Sequence, residues 1–419
     1  MGLLIKNAVS ALTGAPLCVL CDGGKICEIA EKIDETGHEV LDAAGLTLAP
    51  GLVDLHVHFR DPGFTEKEDI LTGAAAAAAG GFTTVACMPN TKPVCDSPET
   101  VQYILARAER AACRVFPIGA VTLGEKGETL TDFDALRASG ACAFSDDGVP
   151  VMSDEIMRRA MEAATRLGTM VISHCEDADM VKNYACNEGR ISRLLGIPGR
   201  PAEAEDKMVR RDCRLALETG ARVHIAHVST AGAVDAIRRA KAAGARVTAE
   251  TCPQYFIYTE ELVPAKGTMA RVNPPLRTEA DRQAILAAVL DGTIDIIVTD
   301  HAPHTDAEKS RPLTEAPSGM VGLETSFAAC MTHLVRPGLL TLQELLERMS
   351  ARPSRLIGWA GGRLDAGAPA DLVLFDPDEE WTVDPAAFRS KAHNTPFAGE
   401  KLFGRVKSTI CGGKVTFQA

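Results

Sequence analysis

His56 and His58 stand two positions apart in the apolar run that begins at Val53, and Arg60 follows at the same spacing. Successive side chains of a strand point to opposite faces, so these three share one face. Two imidazoles aligned in this way can grip one metal ion. A guanidinium two residues further on is placed to hold an anionic substrate beside it. Short His-x-His patterns also arise by chance, so the rest of the chain must supply the scaffold and the remaining ligands.

The scaffold is legible as a series. Apolar runs bounded by turn residues predict eight strands, over 52–60, 82–90, 114–122, 141–147, 170–176, 222–229, 246–252 and 294–301. Helix-like stretches at 67–79, 98–111, 153–167, 204–219, 231–243 and 279–290 alternate with them as βα units do. Near-continuous apolar runs such as Ile294 to Val298 suit a parallel sheet covered on both faces. The expected fold is α/β, a (β/α)8 TIM-like barrel. His56, His58, Asn90, Asp147, His174, His227 and Asp300 all fall at or just after the C-terminal end of a predicted strand, which in such a barrel is the face that carries chemistry.

Composition limits the function classes. The 419 residues are 46% hydrophobic and 24% charged, enough for a large core, and the formal net charge of -12 offers no basic face to nucleic acid or to an anionic membrane. The first residues lack a basic start with a long apolar core, and no apolar run is long enough to span a bilayer, so cytoplasmic residence is expected. Thirteen scattered cysteines argue against a disulfide framework, and Cys18 with Cys21 has no second pair to make a zinc knuckle. Both ends of the chain contain short alternating segments. We expect residues 1–48 and 360–419 to pack together as one small β-domain beside a barrel of residues 49–359.

Imidazole and carboxylate ligands together suit zinc or a similar divalent ion, and His174, His227, Asp147 and Asp300 supply what His56 and His58 lack for two ions. A carboxylate can bridge such a pair, and a hydroxide held between the ions is a nucleophile at neutral pH.

The runs from Gly51 to His58, Gly80 to Thr91, Phe144 to Gly148, Asn273 to Arg277 and Thr299 to His304 closely resemble those of class I dihydroorotases, within the amidohydrolase superfamily. The resemblance implies a zinc enzyme that interconverts N-carbamoyl-L-aspartate and L-dihydroorotate in pyrimidine synthesis. It places His56, His58 and Asp300 on one zinc and His174 and His227 on the other, with Asp147 and a hydroxide bridging. Asp300 would shuttle the proton. His58, Phe59, Arg60, Asn90, Asn273 and His304, with the backbone of Ser318 and Gly319, would contact substrate, Arg60, Asn90 and His304 holding its carboxylate. A homodimer is implied, and association with aspartate transcarbamoylase is compatible with it.

Other superfamily members bridge the metals with a carboxylated lysine, and no lysine occurs between Ala141 and Val151. The stretch Glu250 to Tyr255 reads like that of a hydantoinase, dihydropyrimidinase or allantoinase, which keeps a related cyclic amidohydrolase as the alternative. A non-catalytic partner of aspartate transcarbamoylase is the alternative outside enzymes, disfavoured because every ligand position is filled. Alternation turns Asp146 and His224 to the faces opposite Asp147 and His227. Asp54 and Asp61 either orient ligands or brace the turn at Pro62, and His38, His333 and His393 match no ligand position.

Overall fold

Glycines and prolines punctuate the chain, and the strands of its middle part are nearly all buried, which is what a parallel sheet wrapped in helices requires. In the computed structural model, which describes residues 2–419, the N-terminal part contributes β1 (Leu3–Ser10), β2 (Pro16–Asp22), β3 (Lys25–Ala30), β4 (Glu39–Asp42) and β5 (Thr47–Pro50). The barrel follows as β6 (Leu52–Val57), β7 (Phe82–Cys87), β8 (Arg114–Pro117), β9 (Gly119–Ala120), β10 (Phe144–Ser145), β11 (Val171–Ser173), β12 (Val223–Ile225), β13 (Val247–Thr251) and β14 (Ile296–Ile297). The C-terminal part adds β15 (Leu372–Thr382), β16 (Lys401–Cys411) and β17 (Lys414–Gln418).

Strands β6, β7 and β8 pair in parallel, and so do β9 to β14 in order. The third barrel strand is interrupted at Ile118, whose N–H bonds the Cys87 carbonyl at 3.0 Å, and Cys142 N–H reaches Pro117 O at 2.9 Å, so the two pieces stay in one wall. The wall closes on itself where Val57 pairs with His301 and His58 N–H donates to His301 O at 2.8 Å. This is the (β/α)8 barrel that the alternating pattern predicts. Each strand stops short of its predicted span; at His58, Asp147, His174 and His227 the ladder has ended before the side chain that turns into the mouth.

Helices cover the outside. The Ile70–Ala79 helix starts at Asp69, whose side chain accepts from Leu71 N at 2.9 Å and Thr72 N at 3.0 Å, satisfying N–H groups that a helix start leaves free. Its Gly73 lets the helix sit against the Phe59 ring: a Cβ there would lie 2.4 Å from that ring.

The two ends of the chain meet in an eight-stranded sheet of order β17-β16-β15-β5-β1-β2-β3, with β4 beside β1. Alternation along β15 joins it to both cores. Leu372 and Leu374 pack with Leu3, Ile5 and Val19, while Val373 and Phe375 turn to the barrel. All thirteen cysteines are free, and Cys18 and Cys21 are buried in β2. Among the described residues no helix is long and apolar enough to cross a membrane.

Candidate metal centre and substrate pocket

β6 carries His56 and delivers His58 just past its end, so both imidazoles face the barrel mouth, as the spacing requires. From across the barrel comes Asp147, two residues after β10. Its Oδ1 lies 3.4 Å from His56 Nε2 and its Oδ2 3.4 Å from His58 Nε2. The same Oδ1 is 3.5 Å from both His174 Nδ1 and His227 Nε2, and those two nitrogens are 2.8 Å apart. Two groups of buried ligand atoms therefore converge, His56 with His58 and Asp147, and Asp147 with His174 and His227. Asp300 Oδ1 stands 3.2 Å from His58 Nε2 and 3.6 Å from His56 Nε2, beside the first group.

The donor set fits a metal. His56 Nε2 and Asp147 Oδ1 are buried and have no hydrogen-bond partner, a cost that coordination would remove. Burial alone would push the Asp147 carboxyl up, yet the facing imidazoles pull it well below the usual carboxylate range. The backbone also bends to make the site. Among the described residues five non-glycines have positive φ, and three of them are Arg60 (59°), His227 (33°) and Asp300 (49°), a conformation sustained only where the surrounding fold imposes it.

Around the ligands lies a set of fixed partners. Glu250, fully buried on β13, accepts from His56 Nδ1 at 2.5 Å and from His224 Nε2 at 3.0 Å. Burial raises this carboxyl, and the two imidazoles bring it down to about 2. His224 thus faces away from the mouth and supports Glu250. The stretch that resembled hydantoinases is also where this brace sits, and its signal was an acid in the middle of a buried strand, which must find a partner. Asn90 accepts from His58 Nδ1 at 2.9 Å and donates to the Asp147 carbonyl at 3.1 Å. Asp146 turns away, accepting from Val121 N at 2.7 Å and Thr122 N at 3.0 Å. Asp54 braces the barrel seam, accepting from His56 N at 2.9 Å and Thr299 N at 3.1 Å, and Asp61 accepts from the Tyr103 hydroxyl at 2.9 Å.

A cavity of about 360 Å³ opens over these ligands, lined by His58, Arg60, Asn90, Asp147, His174, Asn273, Asp300 and His304 together with Ser318 and Gly319. Phe59 is not among its lining residues. Its ring is fully buried, 6.4 Å from the His301 ring. Arg60 Nε is buried with no hydrogen-bond partner, so a cation waits in the mouth. His304 Nε2 donates to Ser318 O at 2.9 Å, and burial with the nearby Arg60 charge lowers its pKa to about 3. It is therefore a neutral brace for the loop. Gly319 adopts φ +137°, and a Cβ there would meet Ala302 at 2.8 Å, so only glycine brings this backbone over the cavity. Sequence reasoning missed Arg200 and Asn183, which also line it. Arg200 Nη1 donates to Asn273 Oδ1 at 2.6 Å.

A closed parallel barrel with histidines and aspartates gathered at its C-terminal face, fused to a sheet from both chain ends, defines a metal-dependent amidohydrolase. Solved structures of that class superpose throughout. The L-hydantoinase (dihydropyrimidinase) from Arthrobacter aurescens has TM-score 0.87 and 25% identity, covering 99% of this chain and 95% of that one. The dihydropyrimidinase from Brevibacillus agri NCHU1002 has TM-score 0.86 and 25% identity, with the same coverage. The dihydro-orotase-like family pattern matches residues 45–233. The dihydroorotase of Pelotomaculum thermopropionicum is 51% identical over 395 residues, 94% of this chain and 92% of that one. That of Ruminiclostridium cellulolyticum is 49% identical over 418 residues, 99% and 98%. The chain belongs to the dihydroorotase family.

Proposed function

We propose that the chain hydrolyses L-dihydroorotate to N-carbamoyl-L-aspartate and, in the biosynthetic direction, closes the ring. The observation that carries this reading is the sharing of one cavity by two converging ligand groups and the unpartnered Arg60 guanidinium. The first arrangement suits a cyclic amide, and the second a substrate that bears a carboxylate.

Mixed imidazole and carboxylate donors suit zinc, two ions per chain. His56, His58 and Asp300 would hold one, His174 and His227 the other, and Asp147 would be shared between them. When bound, the metals lower the pKa of water and polarise the amide carbonyl. Asp300, at the edge of the ligand set, accepts the proton of the attacking water and returns it to the departing ring nitrogen; ring closure runs the same transfers backwards. Arg60 pairs with the substrate carboxylate in bidentate fashion, joined by the amide of Asn90. Because Asn273 Oδ1 is taken by Arg200, its N–H group is left to donate to a ring carbonyl. His304 acts on the loop, keeping the Ser318 and Gly319 backbone over the ring.

The same reading divides the chain into a barrel of residues 49–359 and a small β-domain of 1–48 with 360–419. A homodimer and association with aspartate transcarbamoylase rest on family resemblance, and sedimentation of the chain with and without that partner reads both.

The test is turnover by metal-loaded protein on L-dihydroorotate, with allantoin and dihydrouracil in parallel and metal content measured on the same sample. Selective, chelator-sensitive loss of dihydroorotate supports the reading. Preferential turnover of either other substrate refutes it, as does inactivity with two zinc ions bound.

A further inference from the structure

Lys309 ends the short helix Asp306–Lys309 and is only 2% exposed. Its Nζ donates to three main-chain carbonyls: Gly319 O at 3.0 Å, Pro317 O at 3.1 Å and Arg271 O at 3.4 Å. Glu308, its neighbour in sequence, pairs with Lys67 at 2.8 Å. Removing an ammonium from water is costly, and a short surface helix needs no buried cation to end it. The three carbonyls explain its place. Pro317 and Gly319 flank Ser318, and Arg271 lies two residues before Asn273. Arg271 O also accepts from Gly319 N at 2.9 Å, so one ammonium ties the covering loop to the Asn273 segment.

We propose that Lys309 is a positioning residue for the substrate, setting the Ser318–Gly319 backbone and Asn273 over the cavity without touching substrate or metal. This rests on the substrate pocket proposed above. The titratable and charged groups that face Lys309 are Arg271, Glu308 from its own helix and the neutral His304, whose pKa the Lys309 charge also helps to lower; the 390–394 segment contributes the neutral Asn394, whose Nδ2 shares Gly319 O at 3.0 Å. Burial, reinforced by the Arg271 charge, lowers the Lys309 pKa to about 7. As pH rises past that point the charge and one of three N–H donors are lost, and the hold on the loop weakens.

Lys309→Met and Lys309→Arg in the full, metal-loaded chain test this through KM and kcat for L-dihydroorotate from pH 6 to 9, metal content, and hydrogen exchange over residues 313–321 without substrate. Lys309→Met should raise KM on the order of tenfold at pH 6, the effect of losing charge-assisted hydrogen bonds, with kcat changed less than about threefold. Its KM ratio to the parent should shrink towards pH 9, and loop amides should exchange faster. Lys309→Arg, charged throughout, should flatten the parent's rise in KM with pH, and it decides the matter if the Met variant does not fold. Parental KM and parental exchange in Lys309→Met overturn the proposal; so do lost metal and kcat at unchanged KM, or a parental pH profile in Lys309→Arg. A parent that binds metal but leaves dihydroorotate untouched refutes the substrate reading instead, and loop exchange then decides the role of Lys309 alone.

Discussion

The carboxylate of Glu250 lies 2.5 Å from His56 Nδ1 and thereby fixes which nitrogen of that ring faces the barrel mouth. Its other oxygen is held by His224 at 3.0 Å, so the brace is itself anchored. An imidazole with its outer N–H on a carboxylate is a stronger and better aimed ligand. Glu250→Gln should therefore weaken metal retention by about 10- to 100-fold, on the usual scale for such partners. Dialysis against graded chelator with metal analysis reads it, and parental retention would remove the role.

Arg60→Lys keeps the charge and loses the planar fork. We expect KM for dihydroorotate to rise while kcat stays near parental, and Arg60→Ala to cost about 1.5–3 kcal/mol or more of binding. Steady-state kinetics on both variants separates shape from charge; an unchanged KM in Arg60→Ala would put the carboxylate elsewhere.

Asp300→Ala should abolish turnover while the circular dichroism spectrum stays parental, since Asp300 lines the cavity rather than an apolar core. Near-normal activity would exclude proton transfer by this residue.

Removal of metal by a chelator should abolish activity, and zinc should restore it. The matching structural readout is stability: four imidazoles and two carboxylates packed together without an ion leave buried polar atoms unsatisfied, so the metal-free protein should melt lower. Equal melting temperatures with and without zinc would count against the centre as drawn.

Glu125, 8% exposed and close to Asp146 and Asp147, is pushed up to about 9, by burial first and then by those carboxylates. A carboxyl whose folded pKa exceeds its unfolded value of 4.5 stabilises fully below 4.5, and that contribution is lost as pH rises towards about 9. The neutral Glu125→Gln should thus match the parent near pH 4.5 and gain on it by up to about 1 kcal/mol per pH unit above. Denaturant melts at pH 5 and 8 measure the gap, and a constant difference between them would show that Glu125 titrates normally.

The barrel and the cluster of imidazoles and carboxylates at its mouth were legible because two periodicities coincide in this chain: apolar runs recur with helices between them, and histidines and aspartates fall at one end of several of those runs. What stayed hidden depends on partners far along the chain. Glu250 and His56 are 194 residues apart, and nothing local to either names the other. Arg200 reaches Asn273 from a loop, and Lys309 reads as a surface helix residue until the loop folds over it. Strand ends were overestimated for a related reason. His174 belongs to its strand by hydrophobic pattern, but the ladder ends at Ser173 so that the ring can turn inward.

The seam that Asp54 braces joins the first and last barrel strands across 245 residues of chain. Until Thr299 and Asp300 have been synthesised and have docked against His56 and His58, the first of the proposed metal positions lacks one of its walls. A partly made or truncated barrel therefore cannot hold that ion as the finished one does. Metal uptake at this position becomes a receipt for completed folding, and cleavage anywhere between the two strands that lets them part should release the ion before the helices melt.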